Sequence, residues 1–514
     1  MSKQVIYKTY NQDQLSLLPP SYDELVPPNH PVRIVNSIID RINIDSLEKT
    51  YKGGGTSSYH PRMLLKVLIY SYLRNIYSSR KIEQALYENI HFMWLSGQSH
   101  PDHNTINDFR GKRLKGELKK IFSQVVLLLS EAGHLSLKEL YLDGTKLEAN
   151  SNRYTFVWGK SIKTNKSKIK KQLKELWAYV EKVYQEEEQE PNPPDFDEIE
   201  SDKVEEAIDK INEALSGKEI DKKIGQKLNY AKKNWPTNLK RYERQEKELQ
   251  GRNSMSKTDK DATFMRMKDD PMQNGQLKPG YNLQISTNNQ YIANYTLAQT
   301  TADTTTLIDH LEEYQAHYNE LPQTLTADAG YGSEENYQTL ENNEIEAFVK
   351  YSYFHKEQKE AKSTKIKKPF TVDKLYYNSE TDTYYCPMGQ AMQCIGSYER
   401  KTANGYLQTI SRYQAKNCEG CSLATLCHKA KGNRIIERNH NLVRLKAKAK
   451  EKLLSEEGIA HRKKRCWDVE AVFGNIKHNM NFKRFMLRGI KKVETEVGLL
   501  AMAHNLKKMS LTLQ

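Results

Sequence analysis

The segment from residue 280 to 351 constrains the fold most strongly, because strand and helix patterns alternate along it. YNLQIST and YIANYTLAQT alternate polar and apolar residues, as half-buried strands do. A helical segment then leads to QTLTADAGY, a short strand that ends at Asp328, and a second helical segment leads to the strand IEAFVKYS. Chains that alternate β and α elements in this way build α/β folds. We therefore predict an α/β fold around a mixed sheet.

One more strand is predicted upstream of this segment. KELYLDGTKLEA, residues 138–149, departs from helical spacing and surrounds Asp143 with apolar residues. A β-strand that carries a single buried acidic residue explains this pattern best. The predicted sheet therefore holds two aspartates at strand positions, Asp143 and Asp328.

The first 130 residues have helical spacing. Val32, Val35 and Ile39 recur on one face, and the GGGTSSYHP break at 53–61 places Pro61 where a new helix begins. Short helices joined by tight polar turns are compatible with a helix-turn-helix and equally with a plain helical bundle. We predict an N-terminal helical domain, which in the helix-turn-helix interpretation would bind DNA.

Two further regions interrupt the sheet pattern. In 160–250, apolar residues follow heptad-like spacing in two runs, 169–183 and 204–215, separated by a polar, proline-containing stretch. This pattern predicts a charged helical hairpin. A solvated insertion without chemistry is the simpler interpretation, and a role in dimerisation or DNA clamping is the alternative.

The predicted organisation has six parts. They are an N-terminal helical domain (1–130), a first part of the core (131–159), a charged helical-hairpin insertion (160–250), a second part of the core (251–351), a β-rich cysteine-containing insertion (352–445), and a C-terminal helical part of the core (446–514).

Composition narrows the functional classes. The chain has 79 Lys and Arg against 65 Asp and Glu, a net charge of +14, which favours nucleic acid as a partner. The longest uncharged apolar run, Ile121 to Ser130, is far shorter than the about 20 residues of a membrane span. No secretion segment opens the sequence, and six Cys form no disulfide scaffold. We expect a soluble, cytoplasmic protein without a membrane partner.

Three acidic residues are candidates for metal-assisted chemistry. Asp143 and Asp328 lie at strand-like positions, and Glu470 lies in the predicted helix WDVEAVFGNIKHN. Carboxylates that converge at one end of a sheet bind hard divalent cations, and a pair of such ions catalyses phosphoryl transfer. The alternative is that they are ordinary surface groups, as most of the 65 acidic residues are.

The region around Glu470 is strongly basic. Residues 441–492 contain 15 Lys and Arg against 5 Asp and Glu. A metal-binding carboxylate beside many cations suits a DNA substrate, although solvated Glu/Lys pairs on a helix are the simpler explanation. The predicted DNA contacts are Lys477, Arg465, Lys483, Arg484 and Arg488.

Four cysteines form a second candidate site. They are Cys386 in CPMG and Cys418, Cys421 and Cys427 in CEGCSLATLC. A C-x-x-C knuckle with two further cysteines predicts a structural zinc site, with Cys394 or His428 as the alternative for one ligand. A redox C-x-x-C is less favoured because no thioredoxin-like βαβ unit surrounds it, and free buried thiols are the remaining alternative.

At this point the chain resembles the DDE-superfamily transposases of bacterial insertion sequences, in the branch with a cysteine cluster before the final catalytic Glu. The resemblance rests on YLDGTKLEANSNRYTFVW, LTADAGYGSEENY and VEAVFGNIKHNMNFKRFMLRG, together with the N-terminal stretch YHPRMLLKVLIYSYLRNIYSSRKIEQAL. It implies catalytic roles for Asp143, Asp328 and Glu470. One departure is clear: the family's arginine position, four residues before Glu470, is Cys466, and Arg465 lies one residue away.

The resemblance also implies an RNase H-like core, two Mg²⁺ or Mn²⁺ ions, and cutting and joining of DNA at the element ends. The implied partners are double-stranded DNA, both terminal repeats and target, and other copies of the chain in a homo-oligomer on DNA. Two alternatives remain open. One is a related metal-dependent nuclease without strand transfer, and the other is an inactive or domesticated zinc-containing DNA-binding protein of transposase descent.

Overall fold

The computed structural model describes residues 20–51, 57–185, 199–267, 275–361, 370–402 and 404–512. The chain divides into two compact units, one formed by residues 1–134 with 495–514 and the other by residues 135–494. Residues 53–56 of the predicted break and most of the predicted linker between the charged helices, 186–198, lie outside the described residues. Within the described ranges, no helix is long and apolar enough to cross a membrane.

The unit that contains the N-terminus is helical, as predicted. Its helices are α1 (Tyr22–Leu25), α2 (Pro31–Asp40), α3 (Asp45–Glu48), α4 (Pro61–Leu73), α5 (Ser79–Glu88), α6 (Ile90–Ser96), α7 (His103–Asp108) and α8 (Leu118–Glu131). The expected start at Pro61 is confirmed, and the Nδ1 atom of His60 caps α4 by accepting a hydrogen bond from the Arg62 amide.

The second unit contains the remaining elements except the last helix from Thr495 onward. Its strands are β1 (Glu139–Glu148), β2 (Phe156–Trp158), β3 (Ser254–Ser256), β4 (Thr263–Arg266), β5 (Leu277–Asn288), β6 (Tyr291–Ala298), β7 (Thr324–Ala327), β8 (Glu346–Val349), β9 (Tyr377–Asn378), β10 (Thr383–Tyr385), β11 (Ala391–Lys401), β12 (Leu407–Ala415) and β13 (Ile435–Arg438). Its helices are α9 (Gly159–Gln185), α10 (Ser201–Ala214), α11 (Lys222–Leu249), α12 (Leu307–Tyr318), α13 (Glu334–Asn342), α14 (Phe354–Ala361), α15 (Ala424–Cys427), α16 (His440–Leu454), α17 (Glu456–Gly474) and the first residues of α18 (Ile490–Thr512).

The last helix corrects one predicted boundary. The sequence placed 446–514 in the core, but α18 from Thr495 onward belongs to the N-terminal unit. There the Tyr72 hydroxyl donates a hydrogen bond to the Glu496 carboxylate over 3.3 Å. Residues 497–506 of α18 are buried almost all round, as in a helix enclosed by others, and such a helix shows no amphipathic stripe to indicate its neighbours.

The predicted mixed sheet is confirmed. β1 lies at its centre, antiparallel to β5 on one side and parallel to β7 on the other, and β8 continues the sheet parallel to β7. β6 and β4 both pair with β5 in antiparallel fashion. Helix α17 packs across β1, β5, β7 and β8. The sheet therefore brings β1, β7 and the Glu470 helix together.

The charged insertion has three helices rather than the predicted hairpin of two. α9, α10 and α11 share one apolar core, whose fully buried members include Leu173, Ile211 and Leu239. The third helix escaped prediction because charged residues separate its few apolar positions and because Pro236 lies inside it. At the base, β2 pairs with β3, and the Gly159 amide donates to the Asn253 carbonyl over 3.0 Å, so the two ends of the insertion meet.

Residues 377–438, which contain five of the six cysteines, hold β9 to β13. These strands form an antiparallel sheet in the order β13–β12–β11–β10–β9. A small core around Tyr384, Met392, Tyr413 and Ile436 fills one face of this sheet.

Candidate active site

The two predicted aspartates occupy neighbouring positions on adjacent parallel strands, Asp143 within β1 and Asp328 directly after β7. The register of β1 against β7 pairs Leu142 with Ala327, so that Asp143 and Asp328 are the next residues on each strand. Neighbouring strands lie about 4.8 Å apart. Asp143 is only 7% exposed, and its Oδ1 atom accepts a hydrogen bond from the Gly144 amide over 2.8 Å. β7 ends at Ala327, whereas β1 continues to Glu148 paired with β5 alone, and we call the place where β7 leaves β1 the sheet edge. The register brings both aspartates to this edge.

Glu470 reaches the same edge through helix α17. Two residues earlier, the completely buried Asp468 anchors this helix to the β5–β6 turn. Its Oδ1 atom accepts hydrogen bonds from the Thr287 hydroxyl at 2.6 Å and from the Gln290 amide at 3.0 Å. Burial raises the pKa of Asp468, which these two hydrogen bonds partly offset. Asp468 thus sets the position of the helix that carries Glu470.

Arg465 joins two of the three predicted carboxylates. Its Nη2 atom lies 2.7 Å from Glu470 Oε1, and its Nη1 atom lies 3.2 Å from Asp143 Oδ2. The Arg465 side chain is 7% exposed, whereas that of Glu470 is 48% exposed. The Arg465 guanidinium, which was predicted to bind DNA, thus neutralises the negative charges of Asp143 and Glu470.

Asp303 is a fourth acidic residue at this edge, which sequence reasoning missed. It follows β6, and its Oδ1 atom accepts hydrogen bonds from the Asn282 amide group at 2.7 Å and the Gln284 amide group at 3.1 Å. A Cβ atom on Gly144 would lie 2.9 Å from Asp303 Oδ1, and one on Gly330 would lie 3.3 Å from Asp303 Oδ2. The Asp303 carboxylate therefore lies against the backbone beside both predicted aspartates.

The hydroxyl of Tyr331 is buried close to the sheet edge. It donates a hydrogen bond to Gln284 Oε1. Burial raises the pKa of Tyr331 well above its ordinary value, the charges of Asp303, Asp143 and Asp328 raise it further, and Arg465 opposes them. Three carboxylates and one guanidinium thus act on a single neutral hydroxyl.

Lys350 is a second residue that sequence reasoning missed. β8 pairs Val349 with Ala327, which places Lys350 beside Asp328 in the strand register. Burial lowers the pKa of Lys350, the Arg465 guanidinium lowers it further, and the Asp328 carboxylate acts in the opposite direction. The only sequence signal was a lysine directly after a buried strand.

The residue types at the sheet edge fit hard divalent cations, which prefer carboxylate oxygens. Within the part of the chain that the structure describes, no group of three or more His, Cys, Asp or Glu residues is arranged to hold a metal ion. At the sheet edge, Arg465 lies between Asp143 and Glu470, within ion-pair distance of both. Joint binding of a cation by these two residues therefore requires Arg465 to release them.

The basic residues after Glu470 do not form the simple exposed face that was expected. Lys477 is only 8% exposed and lies in a π-helical turn, Asn475–Asn479, which shifts it from the predicted face. Arg484 and Arg488 donate hydrogen bonds of 2.8 to 3.1 Å to the backbone carbonyls of residues 149–151. Lys483 is exposed. Two of the predicted DNA contacts thus also hold the loop after β1.

The four predicted zinc ligands come together in the second insertion. Cys386, Cys418, Cys421 and Cys427 line one small cavity, together with His428, whereas Cys394 lies exposed on β11. Backbone amides donate hydrogen bonds to the sulfurs of Cys386 and Cys418 over 3.3 and 3.4 Å. Four cysteine sulfurs are a donor set that suits zinc, although these side chains do not stand in a metal-binding arrangement.

Two family profiles match the chain. The family described as "Transposase DDE domain" matches residues 385–510, which include Glu470, and the family described as "Transposase domain" matches residues 20–112 in the N-terminal unit. No curated protein and no solved structure matches the chain significantly.

Proposed function

Because this chain belongs to the DDE-superfamily transposases of insertion sequences, we propose that it cuts DNA at the ends of its element and joins the freed ends to target DNA. Water attacks the phosphodiester at the element end and releases a 3′-hydroxyl. That hydroxyl then attacks a target phosphodiester, forming one new P–O bond and releasing a target 3′-hydroxyl. Both steps are phosphoryl transfers and use the same site.

The observation that carries this proposal is the strand register, which places Asp143 of β1 beside Asp328, the residue directly after β7. Glu470 stands within reach of the same edge, linked to Asp143 through Arg465. This arrangement supports an RNase H-like core in which the two aspartates and Glu470 hold the catalytic ions.

The roles of the side chains follow from their chemistry. Mg²⁺ or Mn²⁺ ions, when bound as a pair, supply a lowered pKa for the attacking hydroxyl and positive charge for the leaving oxygen. Asp143 and Asp328 provide ligand oxygens from rigid strands, and Glu470 provides one from α17. Arg465 balances the charge of Asp143 and Glu470 until substrate and ions enter.

DNA binding is assigned to the N-terminal helical domain and to the basic region 441–492. The N-terminal profile match and the local excess of ten positive charges support this assignment. A homo-oligomer assembled on paired element ends is the form in which we expect the chain to act.

A cleavage assay on plasmid DNA with the native element ends tests the proposal. Asp143→Asn, Asp328→Asn and Glu470→Gln each remove an ionised ligand but keep its shape, so cleavage should be lost while DNA binding persists. Glu451→Gln, on the exposed face of α16, is the control and should cleave like the parent. Full cleavage by any of the three variants would remove that residue from the site.

The joining step separates transposition from simple cleavage. Precleaved ends with free 3′-hydroxyls should be joined to a target plasmid by the parent protein in Mg²⁺. Cleavage without joined product would favour the related nuclease instead. Neither activity, with DNA binding intact, would favour a domesticated DNA-binding protein.

We also propose that Cys386, Cys418, Cys421 and Cys427 hold one structural zinc ion. Their shared cavity and the amide hydrogen bonds to two of the sulfurs support this assignment. Metal analysis of the purified protein should find about one zinc per chain, and Cys421→Ser should lose it, because closed structural sites use all four ligands. Protein that is folded and free of zinc would contradict the assignment.

A further inference from the structure

We infer that Lys350 binds a backbone phosphate of the DNA strand that is cut and thereby positions this strand over the two aspartates. The inference rests on the proposed function and deepens it, because it names a positioning residue for the same DNA substrate. Lys350 directly follows β8 and lies outside the motifs on which the resemblance depends.

The first argument is the row of side chains across three strands. The registers of β1, β7 and β8 place Asp143, Asp328 and Lys350 at corresponding positions of adjacent strands. Residues at corresponding positions extend from the same face of a sheet, and neighbouring strands lie about 4.8 Å apart. The Lys350 amide donates a hydrogen bond to the Ala327 carbonyl over 3.3 Å, which continues this register. Lys350 therefore lies on the face of both aspartates, one strand beyond Asp328.

The second argument is that the Lys350 ammonium group has no partner among the residues that the structure describes. Its side chain is half-buried, yet it forms neither a hydrogen bond nor an ion pair there. Other half-buried lysines of this unit are paired: Lys464 lies 2.6 Å from Glu139, and Lys452 lies 3.3 Å from Glu346. Because burial of an unpaired charge is unfavourable, Lys350 is suited to an anion that comes from outside the protein.

The third argument is that two arginines of α17 lie beside the segment that begins at Lys350. The Arg462 guanidinium lies 5.3 Å from the centre of the Phe354 ring, four residues after Lys350. The Arg465 side chain is 7% exposed, and its buried Nε atom has no hydrogen-bond partner in the described ranges. A buried donor without an acceptor is unfavourable, so Arg465 also has a hydrogen bond to offer to an entering phosphate.

The pKa shifts agree with this collection of cations. Burial lowers the pKa of Lys350, and the charges of Arg465 and Arg462 lower it further, although the Asp328 carboxylate opposes them. On α14, burial lowers the pKa of His355, and the charges of Lys350 and Arg462 add to that effect. Cations that repel one another in the free protein are relieved when a DNA phosphate binds between them.

The alternative is that Lys350 only offsets the negative charge of Asp328. Loss of Lys350 would then slow cleavage by the same factor whatever the charge on the DNA. A contact with one phosphate instead makes the effect of the mutation disappear once that phosphate is uncharged. The decisive experiment therefore changes the protein and the DNA together, as a double-mutant cycle does.

The DNA substrates are element-end duplexes with one uncharged methylphosphonate at a time, placed along the cut strand around the cleavage position. On unmodified DNA, Lys350→Gln should lower kcat/KM by roughly tenfold to a hundredfold, the range for loss of one hydrogen bond to a charged group. At one position the methylphosphonate should slow the parent by a similar factor but hardly slow Lys350→Gln.

Two further variants complete this experiment. Lys350→Arg keeps the positive charge and should retain most of the parent's rate and its sensitivity to the same methylphosphonate. Lys138→Gln is the matched control, because Lys138 is an exposed lysine directly before β1. It should respond to every methylphosphonate as the parent does.

Acetylation of lysines in the parent protein tests the contact without any variant. Bound element-end DNA should protect Lys350 from acetylation, and DNA with the methylphosphonate at the identified position should protect it less. Lys138 should be acetylated equally with and without DNA. Equal acetylation of Lys350 with and without bound DNA would overturn the inference.

The outcomes separate this inference from the proposed function. If the parent cleaves element ends but Lys350→Gln responds to every methylphosphonate as the parent does, the role of Lys350 is overturned and the proposed function stands. If DNA protects Lys350 but the parent cleaves no element end, the phosphate contact stands and the proposed function fails.

Discussion

The sheet edge and the three-helix insertion lie in the same compact unit but bury different kinds of side chain. The insertion buries aliphatic and aromatic side chains such as Leu173, Trp235 and Leu239. The sheet beside the candidate site buries polar ones, among them Asn282, Gln284 and Thr287. Burying apolar area stabilises a fold without requiring specific partners, whereas each buried polar group must be matched by a donor or acceptor. Burial in the insertion thus mainly stabilises the fold, whereas burial at the sheet edge holds polar side chains in defined orientations.

Charges differ between the two regions in the same way. In the insertion, pairs such as Lys227–Glu175, at 2.9 Å, lie on the surface and are partly exposed. At the sheet edge the Arg465 side chain is almost fully buried between carboxylates. Exposed pairs contribute little, whereas removal of one partner from a buried pair is costly. Mutations at the sheet edge should therefore mainly reduce catalysis, and mutations in the insertion should mainly reduce stability.

The largest expected effect is on catalysis at the sheet edge. Asp143→Asn should reduce cleavage of element ends by at least about 10³-fold, as expected for loss of a group that stabilises the transition state. Because shape is kept, the helical content and the fold of the insertion should not change. Single-turnover cleavage and circular dichroism check this, and a variant that cleaves normally would contradict the site.

The next effect is on stability in the insertion. Leu173→Ala, at a fully buried position of α9, should destabilise the three-helix core by about 2–5 kcal/mol through lost contacts and a cavity. Hydrogen exchange should accelerate in residues 159–249 and remain unchanged in the sheet. Lys174→Ala, at the exposed neighbouring position, is the control. Faster exchange throughout the sheet would show that the two regions unfold together.

A smaller effect is expected where the Glu470 helix is anchored. Asp468→Asn keeps an acceptor oxygen but weakens the bonds from Thr287 and the Gln290 amide, so stability should fall by about 1–3 kcal/mol. Cleavage should fall as well, because α17 carries Glu470. Thr287→Val, which removes one donor, should lower stability less. Denaturant unfolding and cleavage rates measure both, and unchanged values in Asp468→Asn would show that α17 is held elsewhere.

The smallest expected effect concerns DNA affinity and compares lysines from the two regions. Lys483 is exposed beside the loop held by Arg484, and Lys171 is exposed on α9 of the insertion. If the core alone carries the DNA, Lys483→Gln should flatten the slope of log K against log salt by about 0.9, the value for one phosphate contact. Lys171→Gln should leave the slope unchanged. A flatter slope for Lys171→Gln would assign the insertion to DNA binding.

Arg484 and Arg488 show why exposed lysine is the better probe of DNA contact. Both arginines hold the backbone of residues 149–151, directly after β1. Neutralising them would disturb the strand that carries Asp143. A change in affinity would then not distinguish a lost phosphate contact from a displaced strand.

Local sequence patterns determined several strands and helices of this protein. Alternation along β5, β6 and β7 predicted the mixed sheet, and the heptad-like runs of α9 and α10 predicted two helices of the insertion, because burial of one face leaves a period that can be read along the chain. The motifs around Asp143, Asp328 and Glu470 predicted three catalytic acids, and the spacing of CEGC predicted a zinc site, and both remain predictions.

Only the tertiary structure decided which distant groups meet. Asp303 and Lys350 reach the site through the pairing of β5, β7 and β8, Arg465 faces two carboxylates because α17 crosses the sheet, and α18 crosses from one unit into the other. Strand order, register and helix packing depend on contacts between residues far apart in the chain. Sequence periodicity shows only which face of a strand or helix is buried. It can therefore reveal a polar residue on a buried face, but it does not show which distant residue forms its hydrogen bond or ion pair.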